Sequence, residues 1–395
     1  MTSRLDHLQC AACGARHDAH VTQGRCSCGG TLLARYDLTG LDLAAVRRRP
    51  AGLWRYREVL PVRGEPVSLG EPATPLVPCR RLSERWGLEM YVKDDSGLAG
   101  GTFKARGAAV GVSRAVELGA KRLVLPSAGN AGGAWSLYGA RAGLPVTVTM
   151  AETAPAANQT EVTLAGGELV LIDGTIADAA RAAREIASEQ DAFLAATFSE
   201  PYRLEGKKSA WLEVFDELGG TSDMRIPRTI VAPVGGGVAA VAAVKAAEEA
   251  RAAGWTDDDP PVIVGVQAAK CAPIARAFDR GEIEVAPVDC EDDLTIAAGL
   301  RVPAPSEGAL VLARIRESGG EVIAVDDDDI LAAMGDLASS EGVFACPEGA
   351  AAMAGATAIA AVGELEGPVV VYNTGAGAKY TAELPVGVVR ASRSA

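Results

Sequence analysis

Lys104 ends the glycine loop of Gly100-Gly101-Thr102-Phe103-Lys104-Ala105-Arg106-Gly107-Ala108, where a helical pattern begins. A helix amino terminus is positive and disfavours an ammonium. A lysine held there loses its proton more readily and can form an imine with an aldehyde. Lysines in a first helical turn are mostly exposed surface residues, so this stretch carries weight only in company. A second stretch, Pro126-Ser127-Ala128-Gly129-Asn130-Ala131-Gly132-Gly133, lies at a strand-to-helix turn. Its small residues let the backbone approach a flat ligand. Asn130 either offers a neutral amide donor to that ligand or caps the helix that follows.

A third stretch is Pro233-Val234-Gly235-Gly236-Gly237-Val238. Consecutive glycine amides opening a helix make a cradle for one phosphate; the same glycines also suit close helix–sheet packing. The lysine of a nucleotide-binding P-loop is absent, and so is the Gly-x-Gly-x-x-Gly spacing of a dinucleotide site. A fourth stretch, Asn373-Thr374-Gly375-Ala376-Gly377-Ala378-Lys379, follows the last strand. Its threonine hydroxyl could hydrogen-bond a ring nitrogen, or the segment is a plain glycine turn. There is no Gly-x-Ser-x-Gly elbow, and no histidine beyond His20. Acid–base work in the main body therefore falls to other side chains or to a cofactor with its own electronics.

Cysteine chemistry is concentrated at the amino end. The first 36 residues hold four of the eight cysteines and all three histidines. Cys10-x-x-Cys13 and Cys26-x-Cys28 form two knuckles twelve residues apart, each followed by glycine. Four thiolates in that spacing suit a structural Zn2+; the alternative is a knuckle without metal, or free thiols. His7, His17 and His20 read as surface residues.

Around these groups strands and helices alternate. Strands are expected near residues 90–93, 122–125, 146–150, 169–172, 193–196, 229–232, 262–267 and 369–372. Helices are expected around 104–118, 132–142, 177–189, 207–218, 238–253, 329–341 and 349–362. Strand–helix–strand crossovers imply parallel sheets covered on both faces, an α/β protein. Prolines at 50, 61, 66 and 72 point to an extended arm before this body. The divisions expected are a zinc-ribbon-like module at 1–36, an arm at 37–85, a smaller α/β domain at 86–200 and a larger one at 201–395. The net charge of −13 argues against nucleic acid or an anionic membrane as partner. The amino terminus lacks the apolar core of a signal peptide, and the apolar stretches are about 15 residues at most, too short to span a bilayer. The expected location is cytoplasmic.

Taken in order, the four glycine-rich stretches resemble the tryptophan-synthase-like, fold type II family of pyridoxal-phosphate (PLP) enzymes, and within it the threonine synthases. The resemblance runs over residues 70–380 and implies a two-domain fold with parallel or mixed sheets covered by helices. It implies PLP as cofactor and a small amino acid as substrate. Lys104 matches the Schiff-base lysine, with Thr102 for the serine of Ser-Phe-Lys. Asn130 matches the residue that bonds the cofactor's ring hydroxyl. Gly235, Gly236, Gly237 and Val238 match the phosphate loop, and Thr374 the hydroxyl facing the pyridine nitrogen. The substrate would meet Ser127, Ala128, Gly129 and Arg203.

Glu205-Gly206-Lys207-Lys208-Ser209 resembles the family's Glu-Gly-Gln-Lys-Thr, and Pro347-Glu348-Gly349-Ala350 its Pro-Glu-x-Ala. The chain departs from the threonine synthases at Ala105, Ala131, Thr197, Ser199 and Glu200, near the expected substrate. Tyr202, Glu200 and Arg203 are expected to shape an altered pocket, and Lys93, Arg106, Arg203 and Lys207 are the cations that could converge on a phosphorylated substrate. The reaction implied is a lyase step from O-phospho-L-homoserine and water to L-threonine and phosphate. Alternatives are a Ser/Thr dehydratase, a β-replacing enzyme of cysteate-synthase type, and a non-catalytic PLP-binding protein. A homodimer is the family habit.

Overall fold

The computed structural model describes residues 3–290, 294–382 and 384; the remainder, including the end of the expected 201–395 segment, lies outside the described residues. Strands β1 (Leu5–Cys10), β2 (Arg16–His17) and β3 (Leu32–Tyr36) form a small antiparallel sheet in the order β2-β1-β3. Residues 37–85 follow, the stretch expected to be an arm. It holds a short helix α1 (Leu43–Arg47) and a 3-10 turn (Leu53–Val59) whose Leu53, Tyr56 and Val59 are buried. The chain continues through β4 (Leu76–Pro78), α2 (Arg80–Trp86), β5 (Met90–Asp94), α3 (Lys104–Glu117), β6 (Leu123–Pro126) and α4 (Asn130–Ala142). Then come β7 (Val146–Ala151), α5 (Ala156–Leu164), β8 (Glu168–Ile172), α6 (Ile176–Glu189), β9 (Phe193–Leu194) and α7 (Arg203–Leu218). The last part runs β10 (Thr229–Pro233), α8 (Val238–Ala252), β11 (Val262–Ala268), α9 (Pro273–Asp279), α10 (Gly308–Glu317), β12 (Glu321–Val325), α11 (Asp327–Asp336), α12 (Pro347–Ala361) and β13 (Val369–Asn373).

Two further sheets carry the body, in the orders β8-β7-β6-β9 and β12-β11-β10-β13-β5-β4. All their pairings are parallel except β4 with β5. This is the α/β class with parallel and mixed sheets that the sequence implied. Strands such as β7 and β10 are buried at every residue, the pattern of sheets covered on both faces. β5 was grouped with Lys104 by position in the chain, but it pairs with β13 in the six-stranded sheet. Lys104 therefore follows a strand of one sheet, while Asn130 follows β6 of the other.

Several elements depart from the periodic reading. β12 is an edge strand of five residues, too short for its alternation to stand out. α5 has only Asn158 and Val162 buried and so carries no apolar stripe. α4 and α7 begin at Asn130 and Arg203, earlier than the 132 and 207 expected. The earlier start of α7 places Arg203 and Lys207 four residues apart on one helix face.

Glycines set how closely α3 and α7 pack. A Cβ on Gly206 would fall 2.0 Å from the Arg106 carbonyl oxygen, and one on Gly107 3.0 Å from that of Arg203. The crossing is locked by a buried ion-pair cluster. Arg106 bonds Asp95 and Glu213 at 2.8 Å, and Lys93 bonds Glu213 at 2.7 Å. Two cations meet two carboxylates there, so the buried charge is balanced. Among the described residues no helix is long and apolar enough to cross a membrane.

Candidate active site

A cavity of about 240 Å³ lies where β6, β10 and β13 end. Several helices begin at its wall, among them α3 with Lys104, α4 with Asn130, α6 with Ile176 and α8 with Val238. Parallel strands all deliver their carboxyl ends to one side of a sheet, and helix amino termini follow there with unpaired N–H groups. The fold thus gathers a positive field in a protein of net charge −13.

Lys104 opens onto this cavity, with Nζ 4.9 Å from the centre of the Phe103 ring. Burial lowers its pKa to about 8, assisted by the charge of Arg203 and opposed by Glu348. Its loop is stitched to the Thr374 loop: the Phe103 N–H donates to the Thr374 carbonyl at 2.9 Å. Lysine and threonine are therefore positioned by the same contact.

Asn130 does not cap its helix. Ser127 does that work, its hydroxyl accepting from the N–H groups of Gly129 (3.1 Å) and Gly132 (2.9 Å). Asn130 is left to face the cavity within a polar chain. Its Nδ2 donates to the Tyr380 hydroxyl at 2.9 Å, and its Oδ1 accepts from Asn158 Nδ2 at 3.1 Å. The Tyr380 hydroxyl donates to Glu348 Oε1 at 3.1 Å. Ser127 lines the cavity with its hydroxyl engaged in its own loop, so Ala128 and Gly129 present mainly backbone.

The glycine loop serves both purposes left open by its sequence. A Cβ on Gly235 would fall 2.4 Å from the Gly299 carbonyl oxygen, and one on Gly237 2.2 Å from Val311. Tight packing therefore requires glycine at both. The same loop lines the cavity at the start of α8, where no side chain caps the helix. Thr374 Oγ1 sits 3.5 Å from Cys346 Sγ. Burial pushes the Cys346 thiol far up, so it remains protonated.

These groups fit PLP. A lysine amine, an uncapped glycine cradle, an amide and a hydroxyl face one cavity. Glu348 also has a buried oxygen, Oε2, without a hydrogen-bond partner among the described residues.

The cations fall out differently from expectation. Lys93 and Arg106 lie in the ion-pair cluster, not at the cavity. Glu200, Tyr202 and Arg203 stand behind its wall. Arg203 Nε pairs with Glu200 Oε1 at 2.5 Å, its Nη2 donates to the Ala195 carbonyl, and its Nη1 reaches Thr197 Oγ1 at 3.2 Å. Thr197 and Ser199 line the cavity in their place, and of the four expected cations only Lys207 does. Arg184, on α6, lines it too. Arg184, Asn158 and Tyr380 had no motif to mark them; they reach the cavity through folding alone.

The four cysteines of the amino end converge. Their sulfurs all lie within 4.8 Å of one another, with Cys10–Cys28 at 3.5 Å, Cys13–Cys26 at 3.7 Å and Cys13–Cys28 at 3.4 Å. A Zn–S bond of about 2.3 Å gives a tetrahedral edge of about 3.8 Å, so the cluster fits a four-thiolate ion.

Comparison with known proteins agrees with this geometry. The family model described as "Pyridoxal-phosphate dependent enzyme" matches residues 67–375. The chain belongs to the pyridoxal-phosphate dependent enzyme family. Within that family it is 36% identical over 354 residues to the threonine synthase of Methanosarcina acetivorans, covering 88% of this chain and 85% of that one. It is 32% identical over 357 residues to the threonine synthase of Methanocaldococcus jannaschii, covering 88% and 86%. Among solved structures, a T.th. threonine deaminase superposes with a TM-score of 0.65 at 24% identity, covering 77% of this chain and 92% of that one. Maize serine racemase gives 0.65 at 23%, covering 77% and 88%. The family's fold is thereby shared with enzymes of other named activities.

Proposed function

We propose that the chain is a PLP-dependent, threonine synthase-like lyase that converts O-phospho-L-homoserine and water to L-threonine and phosphate. The observation that carries this reading is the 36% identity with a threonine synthase over 88% of the chain. The cavity supplies the parts. The proposed cofactor site is Lys104, Asn130, Thr374 and the loop of Gly235, Gly236, Gly237 and Val238. The proposed substrate contacts are Ser127, Ala128 and Gly129; Arg203 acts from behind Thr197. Four-cysteine zinc at residues 1–36, an arm, two α/β domains and a cytoplasmic homodimer complete the proposal.

PLP, when bound, draws electrons from the substrate α-carbon. Lys104, with its pKa near 8, exists partly as a free amine at neutral pH and can take a proton from that carbon. Asn130, held by Tyr380 and Asn158, would hydrogen-bond the cofactor ring. The uncapped amides of α8 would hold the cofactor phosphate. Thr374 offers a neutral hydroxyl, which stabilises a protonated ring nitrogen less than a carboxylate would.

The Glu200–Arg203 pair and Ala131 favour a second reading, a Ser/Thr dehydratase or β-replacing enzyme. Purified protein with PLP should show the visible absorption of a lysine-bound cofactor. Adding O-phosphohomoserine should then release phosphate and threonine in equal amounts. A 2-keto acid formed from serine or threonine, with no phosphate release, would replace the first reading with the second.

A further inference from the structure

Lys207 is only 4% exposed, lines the cavity, and has its Nζ 4.8 Å from the centre of the Phe103 ring. It makes no hydrogen bond or ion pair with the described residues. The other fully buried lysines are all matched to carboxylates: Lys93 to Glu213 at 2.7 Å, Lys208 to Glu205 at 2.7 Å, and Lys245 to Glu205 at 3.2 Å. An unpaired buried ammonium is costly. Here burial, followed by the charges of Lys104 and Arg203, drives the Lys207 pKa well below the lysine range. The one opposing charge is Glu200, and that carboxylate is already held by Arg203.

A buried amine facing the cavity, with Lys104 and Arg203 as neighbouring positive charges and no carboxylate paired to it, is a site to which an incoming anion brings the missing charge. The resembling pattern places glutamine at this position, where this chain has lysine. It stands four residues beyond Arg203, the cation that Glu200 has taken out of play. The Gly107–Gly206 crossing brings its helix against α3 and the Lys104 turn.

We propose that Lys207 is a specificity-determining residue that binds the anionic side-chain group of the substrate, a phosphate or similar oxyanion on an amino acid. This rests on the PLP enzyme reading and narrows its substrate class against uncharged hydroxy-amino acids. The cofactor phosphate belongs instead to the cradle at the start of α8.

The test uses holoenzyme, in which that cradle is filled, and the variants Lys207→Gln and Lys207→Arg. One measurement is the affinity of inorganic phosphate by calorimetry; another is the KM for O-phosphohomoserine; a third is cofactor affinity by visible absorbance. A charge-assisted hydrogen bond to an anion predicts about a ten- to hundredfold loss of phosphate affinity and rise in KM for Lys207→Gln. Cofactor absorbance and serine affinity should hold, and Lys207→Arg should restore part of the loss. Unchanged phosphate affinity, or no phosphate binding by wild type, would overturn the subsite. So would weaker PLP binding with KM intact, which would assign the lysine to the cofactor, or a fall in kcat alone, which would make it act through Lys104. Lys207-dependent phosphate binding without turnover of O-phosphohomoserine leaves the subsite standing and removes the threonine synthase reaction.

Discussion

The Asn130 amide donates to the Tyr380 hydroxyl across 2.9 Å, though 250 residues separate them in the chain. This bond closes the cavity between the end of the four-stranded sheet and the segment that follows β13. It also holds the Asn130 amide in place for a planar ligand. Replacing Asn130 by Ala should weaken PLP binding about tenfold, the value of roughly one lost hydrogen bond. Tyr380→Phe should cost less, because Asn158 still holds the amide. Equilibrium titration of PLP by visible absorbance measures both. Equal affinity in all three proteins would remove Asn130 from the cofactor site.

Lys104 has its pKa lowered to about 8 by burial and by Arg203. Below that pH the amine carries a proton and cannot attack an aldehyde; above it the amine is free. The rate at which cofactor-free protein captures PLP should rise about tenfold per pH unit up to pH 8 and then level. Stopped-flow absorbance reads it. Lys104→Ala should abolish both the visible band and turnover while leaving the far-ultraviolet dichroism intact. A rate that keeps climbing to pH 10 would show an ordinary, solvated lysine.

Glu213 bonds both Arg106 and Lys93 in a fully buried cluster. Glu213→Gln leaves two buried cations against the single carboxylate of Asp95. Removing one partner of such a cluster costs about 3–5 kcal/mol, measurable by denaturant unfolding. By contrast Arg85 pairs with Asp336 while 49% exposed, and Arg85→Ala should cost less than about 1 kcal/mol.

Elemental analysis should find one zinc per chain, held by Cys10, Cys13, Cys26 and Cys28. Gly30 makes a sharper test than a ligand change. A Cβ there would fall 2.7 Å from Cys10 Sγ, so Gly30→Ala should lower metal occupancy while the PLP band survives. Loss of that band on metal removal, in a body that stays folded, would contradict a structural role.

The sequence by itself determined the parts that are local. Glycine loops, the lysine that opens α3, the cysteine spacing and the fully apolar strands are all readable, because each depends on neighbours a few residues away. The family follows from four such stretches in order. Tertiary structure decided which polar groups meet. Lys93 and Arg106 look like free cations in sequence, yet packing against Asp95 and Glu213 neutralises them. Arg203 looks like a substrate contact until Glu200 folds onto it. Asn130 could cap α4 until Ser127 is seen to do so. Tyr380, Asn158 and Arg184 enter the cavity from segments without a motif. Charge pairing and capping depend on distances between residues remote in the chain, and only the folded backbone, set here by contacts as close as Gly206 on Arg106, fixes those distances.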